Sequence, residues 1–182
     1  MKNIQKVPRL SAEEYLALEG LSELRHEYVQ GAIYAMVGAT ARHNLISLAL
    51  ASQLREHLCG KSCQVFMSDM KVRIGPVFYY PDVMVVCAPV APTSLFQDAP
   101  VFIAEVLSDS TEAKDRLEKL VAYQSLPSLQ EYMLLAQDQV RIDVYRKQGK
   151  DWQLESLGRG DSLNLISLGY FGLAETFYSG GS

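Results

Sequence analysis

The chain has 182 residues, of which 48% are hydrophobic and 21% charged, enough for one well-filled core and short for two, and it carries no low-complexity block or fixed-period repeat. A formal charge of -4 and a pI near 5.4 exclude a protein that coats nucleic acid through bulk electrostatics, since that mode needs many Lys and Arg, but leave room for a local basic cleft. The N-terminal stretch lacks the apolar core of a signal peptide and runs such as residues 83–86 are too short to span a bilayer, so a cytoplasmic protein without a membrane partner is expected, with residues 1–182 forming a single domain.

In chain order, Ser11-Ala-Glu-Glu14 reads as a capping box that starts a short helix over residues 15–19. Residues 26–29 and 32–36 are β-prone runs flanking the turn pair Gln30-Gly31, which predicts a hairpin with Glu27 on its first strand. Apolar residues at three- and four-residue steps over 40–58 predict a long amphipathic helix ended by Gly60. Residues 63–67 and 71–74 read as strands, and 83–86 and 101–107 as central strands covered on both faces. A helix over residues 112–125 follows, stopped by Leu126-Pro127, then strands over 131–135, 140–145 and 152–157 and a short closing helix over 173–178. The expected fold class is therefore mixed α/β. Cys59, Cys63 and Cys87 show no CxxC spacing and lie at no zinc-ligand interval from His26, His43 or His57, so they are expected as reduced thiols, two or all of them buried.

The chemistry gathers at two carboxylates. Asp82 stands in Tyr80-Pro-Asp-Val83 at the mouth of an apolar strand, and Glu105 interrupts Val101-Phe-Ile-Ala-Glu-Val-Leu107 in the middle of one. An ionised carboxylate inside such a run is costly unless something positive satisfies it. Two carboxylates on neighbouring strands can share a hard cation of the Mg²⁺ class, with the Val106 carbonyl as a third ligand, and a metal so held suits phosphodiester hydrolysis. The plainer alternatives are that Asp82 caps a turn and that Glu105 is a buried acid paired with an Arg or Lys. Asp115, Lys119 and Tyr123 lie four residues apart on one helix face, which can either point back to the carboxylates or form an exposed ion pair beside a half-buried tyrosine. His43, after Arg42 at the start of the long helix, can touch a phosphate near a positive helix end or simply cap the helix.

The segments Glu27-Tyr-Val-Gln-Gly31, Tyr80-Pro-Asp-Val83, Glu105-Val-Leu-Ser108, Ser110-Thr111, Asp115-Arg-Leu-Glu-Lys119 with Tyr123, and Glu131-Tyr132 resemble the ordered landmarks of the Uma-type restriction-endonuclease-like family of the PD-(D/E)XK nuclease superfamily. The resemblance implies a restriction-endonuclease-like core, a mixed central β-sheet with helices on both faces, an N-terminal hairpin and C-terminal strands. It implies a Mg²⁺-dependent endonuclease acting on DNA, with Mn²⁺ able to substitute. It also implies that Asp82 and Glu105 are metal ligands, that Glu27 approaches the same site, and that a histidine stands near His43. Leu107 occupies the usual lysine position two residues after the glutamate, and Lys119 on the following helix matches the relocated lysine; Asp109 stands where the family often has proline.

Two other readings compete. One is a catalytically degenerate nuclease fold serving as a binding or assembly module, favoured by the acidic pI and by Leu107. The other is carboxylate acid/base work on a sugar, disfavoured because Trp152 is the sole tryptophan. A homodimer is compatible with symmetric cutting of two strands.

Overall fold

The computed structural model describes residues 9–108 and 111–178. The expectations for Asp109 and Ser110 fall outside the described residues. Ser11 opens α1 (Ala12–Glu19) with the expected capping box: its Oγ accepts from Glu14 N at 3.2 Å, and Glu14 Oε2 accepts from Ser11 N at 2.7 Å. Strands β1 (His26–Val29) and β2 (Ala32–Ala35) form the expected hairpin. Gln30 and Gly31, at φ 50 and 95, supply the two left-handed residues that a two-residue turn of this kind needs. Gly31 is required on steric grounds too, because a Cβ there would lie 2.6 Å from the Cβ of Arg9.

Helix α2 (Ala41–His57) follows, its N-terminus capped by Thr40, whose Oγ1 accepts from His43 N at 3.1 Å. Strands β3 (Gln64–Met67), β4 (Lys71–Ile74), β5 (Val77–Tyr79), β6 (Val83–Val86), β7 (Phe96–Gln97) and β8 (Pro100–Val106) come next. Helix α3 is composite: α-helical Glu112–Lys114 and Leu120–Gln124 flank a π-helical turn, Asp115–Lys119. The chain ends with β9 (Glu131–Leu135), β10 (Arg141–Gln148), β11 (Asp151–Gly158), β12 (Ser162–Leu165), β13 (Tyr170–Leu173) and a 3₁₀ turn at Ala174–Tyr178. Strands β5, β7, β12 and β13 are additions to the sequence reading.

The central sheet is six-stranded in the order β11-β10-β9-β8-β6-β3, and it is mixed because β8 and β9 run parallel while their neighbours are antiparallel. A parallel pair needs a crossover, and α3 is that crossover, laid over one face. Successive residues of β6 and β8 alternate between two cores. Val83, Val85, Phe102, Ala104 and Val106 pack with Leu50 and Leu54 of α2, whereas Met84, Ile103 and Leu107 pack with Tyr123, Leu126 and Leu129 around the α3 side. Burial on both faces explains why these strands read as unbroken apolar runs. A second sheet, β2-β1-β5-β4-β7, carries the hairpin, and β12 and β13 pair separately. No helix among the described residues is long and apolar enough to cross a membrane.

The cysteine expectation is corrected. Cys63 and Cys87 flank the paired strands β3 and β6, whose register sets Gln64 opposite Val86, and they are joined in a disulfide with Cα atoms 3.9 Å apart. Cys59 is free but exposed rather than buried. The pairing comes from tertiary register across 24 residues of sequence, which is why no local spacing announces it.

Glu19, at the end of α1, ties the N-terminal segment to the second sheet. Its Oε1 accepts from His26 N at 2.9 Å and from the Tyr80 hydroxyl at 2.8 Å, and its Oε2 lies 3.1 Å from His26 Nδ1. Burial pushes this carboxyl up, but the His26 amide, the Tyr80 hydroxyl and the His26 ring together outweigh burial and hold it below 4.5. A depressed carboxyl stabilises the fold above its unfolded pKa and loses that contribution as pH falls through the folded value. Glu19→Gln should therefore lower the melting temperature near neutrality and make its decline shallower below about pH 4.5, a comparison that scanning calorimetry across acid pH reads directly.

Candidate active site

Strand register does the first part of the assembly. Val83 pairs with Ala104, so the chain enters β6 with Asp82 beside Glu105, whose own position on β8 falls on the face shared with Ile103 and Leu107. The two residues are in contact: Glu105 Oε2 lies 3.4 Å from Asp82 N, and Asp82 Oδ2 accepts from Val106 N at 2.8 Å. Glu105 is 3% exposed, so its charge cannot be met by bulk water.

Helix α3 does the second part. Regular α-helix rotates residues four apart by about 40° from one another, which would swing Asp115, Lys119 and Tyr123 progressively off a common line. The wider π turn at Asp115–Lys119 offsets part of that drift. As a result Lys119 Nζ lies 2.9 Å from Glu105 Oε1 and 3.1 Å from Asp115 Oδ1, and the Tyr123 hydroxyl donates to the same Glu105 oxygen at 2.8 Å. The pair Asp115 and Lys119 is buried, not an exposed ion pair, and Tyr123 is fully rather than half buried.

The hairpin adds Glu27, which is buried. Its Oε1 is 3.1 Å from Lys119 Nζ and its Oε2 is 2.5 Å from Lys114 Nζ. Lys114 was not anticipated in the sequence. From the opposite side, α2 brings His43, whose Nε2 lies 3.0 Å from Asp82 Oδ2, so its ring meets a carboxylate and the Val106 backbone rather than standing free at the helix end. A short polar chain fixes that approach: the Thr40 hydroxyl donates to Gln137 Oε1 at 2.6 Å, and Gln137 Nε2 donates to the Leu107 carbonyl at 2.6 Å. Leu107 itself turns into the apolar core beside Tyr123, so the ammonium reaches Glu105 from α3 and not from the strand.

The charge balance of this cluster is uneven. Glu27, Asp82, Glu105 and Asp115 face two ammonium groups, Lys114 and Lys119, with His43 the further group among the described residues able to become positive. Burial, and then repulsion from Asp115 and Asp82 that Lys119 opposes, push the Glu105 carboxyl well above 4.5. Burial also raises Asp115. For Lys119 burial acts the other way, but Glu105, Asp115 and Glu27 overwhelm it and hold the ammonium protonated. Burial opposes protonation of His43, and the hydrogen bond and charge of Asp82 overcome that opposition to raise it above 6.5. Asp115 Oδ1 is buried without a hydrogen bond of acceptable geometry, although the Lys119 ammonium is near; the angle, not the distance, is deficient. The cluster is thus a largely buried set of hard oxygen donors in which carboxylates outnumber ammonium groups.

Such a donor set suits Mg²⁺ or Mn²⁺ better than zinc. Among the described residues no group of three His, Cys, Asp or Glu side chains is arranged as a metal cage. What fits is the sparser Mg²⁺ arrangement of one or two carboxylates completed by water and substrate. Asp82 and Glu105 would hold such an ion, each through the oxygen not already committed to His43 or Lys119.

Removing the central ammonium should expose how the cluster is balanced. Lys119→Met leaves three buried carboxylates without their shared cation and should cost about 3–5 kcal/mol in metal-free buffer. Glu105→Gln removes one excess charge from an already raised carboxyl and should change stability by less than about 1 kcal/mol. Urea unfolding in EDTA checks both, and equal losses for the two variants would contradict this charge balance.

Comparison with known proteins places the chain among relatives of similar length. The chain is 40% identical over 177 residues to the "Uncharacterized protein slr1290" of Synechocystis sp., covering 95% of this chain and 93% of that protein. It is 36% identical over 154 residues to the "Uncharacterized protein sll1609" of the same organism, covering 81% and 87%. A crystal structure titled as a "putative nuclease belonging to DUF820" from Anabaena variabilis superposes with a TM-score of 0.77 at 19% identity, over 93% of this chain and 98% of that one, a likeness of fold. The Uma2 family, described as "Putative restriction endonuclease", matches residues 12–174, and the chain belongs to that family.

Proposed function

We propose that the protein is a Mg²⁺- or Mn²⁺-dependent endonuclease that hydrolyses phosphodiester bonds of DNA. The observation that carries this reading is the contact between Asp82 and Glu105 across two central strands, with the Lys119 ammonium 2.9 Å from Glu105. The nuclease-like fold and the family support hydrolysis in general, while the choice of metal and of DNA rests on the donor chemistry and on this cluster.

Each residue has a distinct task in this reading. Asp82 and Glu105 present hard oxygens. When bound there, a divalent cation supplies Lewis acidity, making water a stronger acid at neutral pH and drawing charge from phosphodiester oxygens. Lys119 is held charged and nearly immobile, so its ammonium can offset negative charge building on the phosphate without a reorganisation cost. Tyr123 and Asp115 position that group, Tyr123 through the shared Glu105 oxygen and Asp115 through the ion pair one helical step away. Glu27 divides its oxygens between Lys114 and Lys119 and so fixes the hairpin over the site. His43 orients Asp82 by holding its Oδ2, which leaves the other carboxylate oxygen of Asp82 for a cation.

A second reading, a nuclease fold retained as a binding or assembly module, draws on the same geometry. Lys119 already contacts Glu27, Glu105 and Asp115, so these carboxylates have an internal partner before any metal arrives.

Supercoiled plasmid incubated with protein and Mn²⁺ separates the two. The nuclease reading expects nicked or linear product that EDTA abolishes and that Asp82→Ala reduces by about a hundredfold or more, the scale expected when a catalytic metal ligand is lost. A folded wild-type protein that cuts neither plasmid, oligonucleotide nor RNA, and shows no Asp82-dependent Mn²⁺ uptake by calorimetry, leaves the binding-module reading standing.

A further inference from the structure

At the rim of the acid cluster stands an aromatic side chain that the hydrolytic roles leave unused. Tyr34, on β2, is the direct cross-strand partner of Glu27, so both side chains leave the hairpin on the same face. Glu27 is buried in the cluster, whereas Tyr34 is 51% exposed. The ammonium of Lys114, which pairs with Glu27 at 2.5 Å, lies 5.0 Å from the centre of the Tyr34 ring. Strand β2 is the outer strand of its sheet, with all its residues exposed, and Met36 and Val37 continue the apolar surface beyond it. The rim of the site is therefore an open aromatic face with a fixed cation beside it.

The overall charge decides what such a rim can grip. At -4, the protein has little capacity to replace counterions along a duplex. Stacking of an unpaired base on an aromatic ring supplies affinity that needs no surplus of lysines, and every base has a face to offer. In a paired duplex the bases are already stacked and unavailable. We propose that Tyr34 is a stacking platform for an unpaired nucleobase of the substrate strand, which makes single-stranded or locally unpaired DNA the preferred substrate. This rests on the nuclease reading for the reaction but not for the binding. Lys114, anchored on Glu27 beside the ring, stands ready for the phosphate next to the stacked base.

The test uses the full chain with Mn²⁺ and end-labelled oligonucleotides of one sequence in three forms: single strand, perfect duplex, and duplex with one bulged nucleotide. At concentrations below KM, the single strand and the bulged duplex should be cut about tenfold faster than the perfect duplex, the scale of one base–aromatic stack. Tyr34→Ala should collapse that ratio through KM, and Tyr34→Phe should keep it. Equal or faster cutting of the perfect duplex, or an unchanged ratio in Tyr34→Ala, overturns the proposal and leaves the nuclease reading intact.

Binding is read separately by the fluorescence of 2-aminopurine at the unpaired position. Quenching by wild type and Tyr34→Phe, but not by Tyr34→Ala, supports the platform even if no strand is cut, in which case the nuclease reading alone falls. No Tyr34-dependent quenching overturns the platform. A concentration-dependent dimer that Tyr34→Ala dissociates, without quenching, overturns it as well and assigns β2 to a second copy of the chain. Melting temperature controls for folding, and because Tyr34 is exposed the three proteins should agree within a few degrees.

Discussion

A buried carboxylate in the middle of a sheet is the constraint around which the rest of this molecule is arranged. Glu105 occupies a position that the flanking residues of β8 fill with apolar side chains, and its desolvation has to be offset locally. The fold answers with Lys119 and Tyr123 from the crossover helix, both on one oxygen of Glu105. That ammonium is shared with Glu27 and Asp115, so satisfying one buried acid has drawn in two more. The outcome is a cluster in which carboxylates outnumber cations, an arrangement that serves binding of a further positive charge better than it serves stability.

Topology makes the gathering possible. Antiparallel register between β6 and β8 sets Asp82 against Glu105, and the parallel pairing of β8 with β9 obliges a crossover that carries Lys119 and Tyr123 over the same face. The hairpin β1-β2 contributes Glu27, and α2 contributes His43 from the far side, held by the Thr40-Gln137-Leu107 chain of hydrogen bonds. Five separate elements thus meet at one site, namely β6, β8, α3, the hairpin and α2, and the lysine that would ordinarily come from the strand is delivered from α3, leaving Leu107 free to fill the core.

Much of this was legible in the residues. The apolar runs around Val83 and Val101 marked the two central strands because burial on both faces removes the alternation that a one-sided strand shows. Gln30-Gly31 marked the hairpin, and since a two-residue turn fixes register, Tyr34 opposite Glu27 could have been read from the same signal. Strands β5 and β7 are only a few residues long, too short for a periodic signal, and the Cys63–Cys87 bond depends on register between segments that local spacing does not relate. Periodicity alone leaves Asp115 and Lys119 open between a surface pair and a stripe facing the carboxylates, because it cannot tell which helix face meets the sheet, and the π turn that aligns them has no simple residue signature. Lys114 escaped notice for the same reason: its partner lies 87 residues earlier in the chain.

The most direct test of the central claim is a crystal of the protein soaked in MnCl₂ and measured for anomalous scattering. The account predicts one strong peak within coordination distance of both Asp82 and Glu105, on the Asp82 oxygen that His43 leaves free. Density with no peak within reach of the two carboxylates at saturating Mn²⁺ would contradict it.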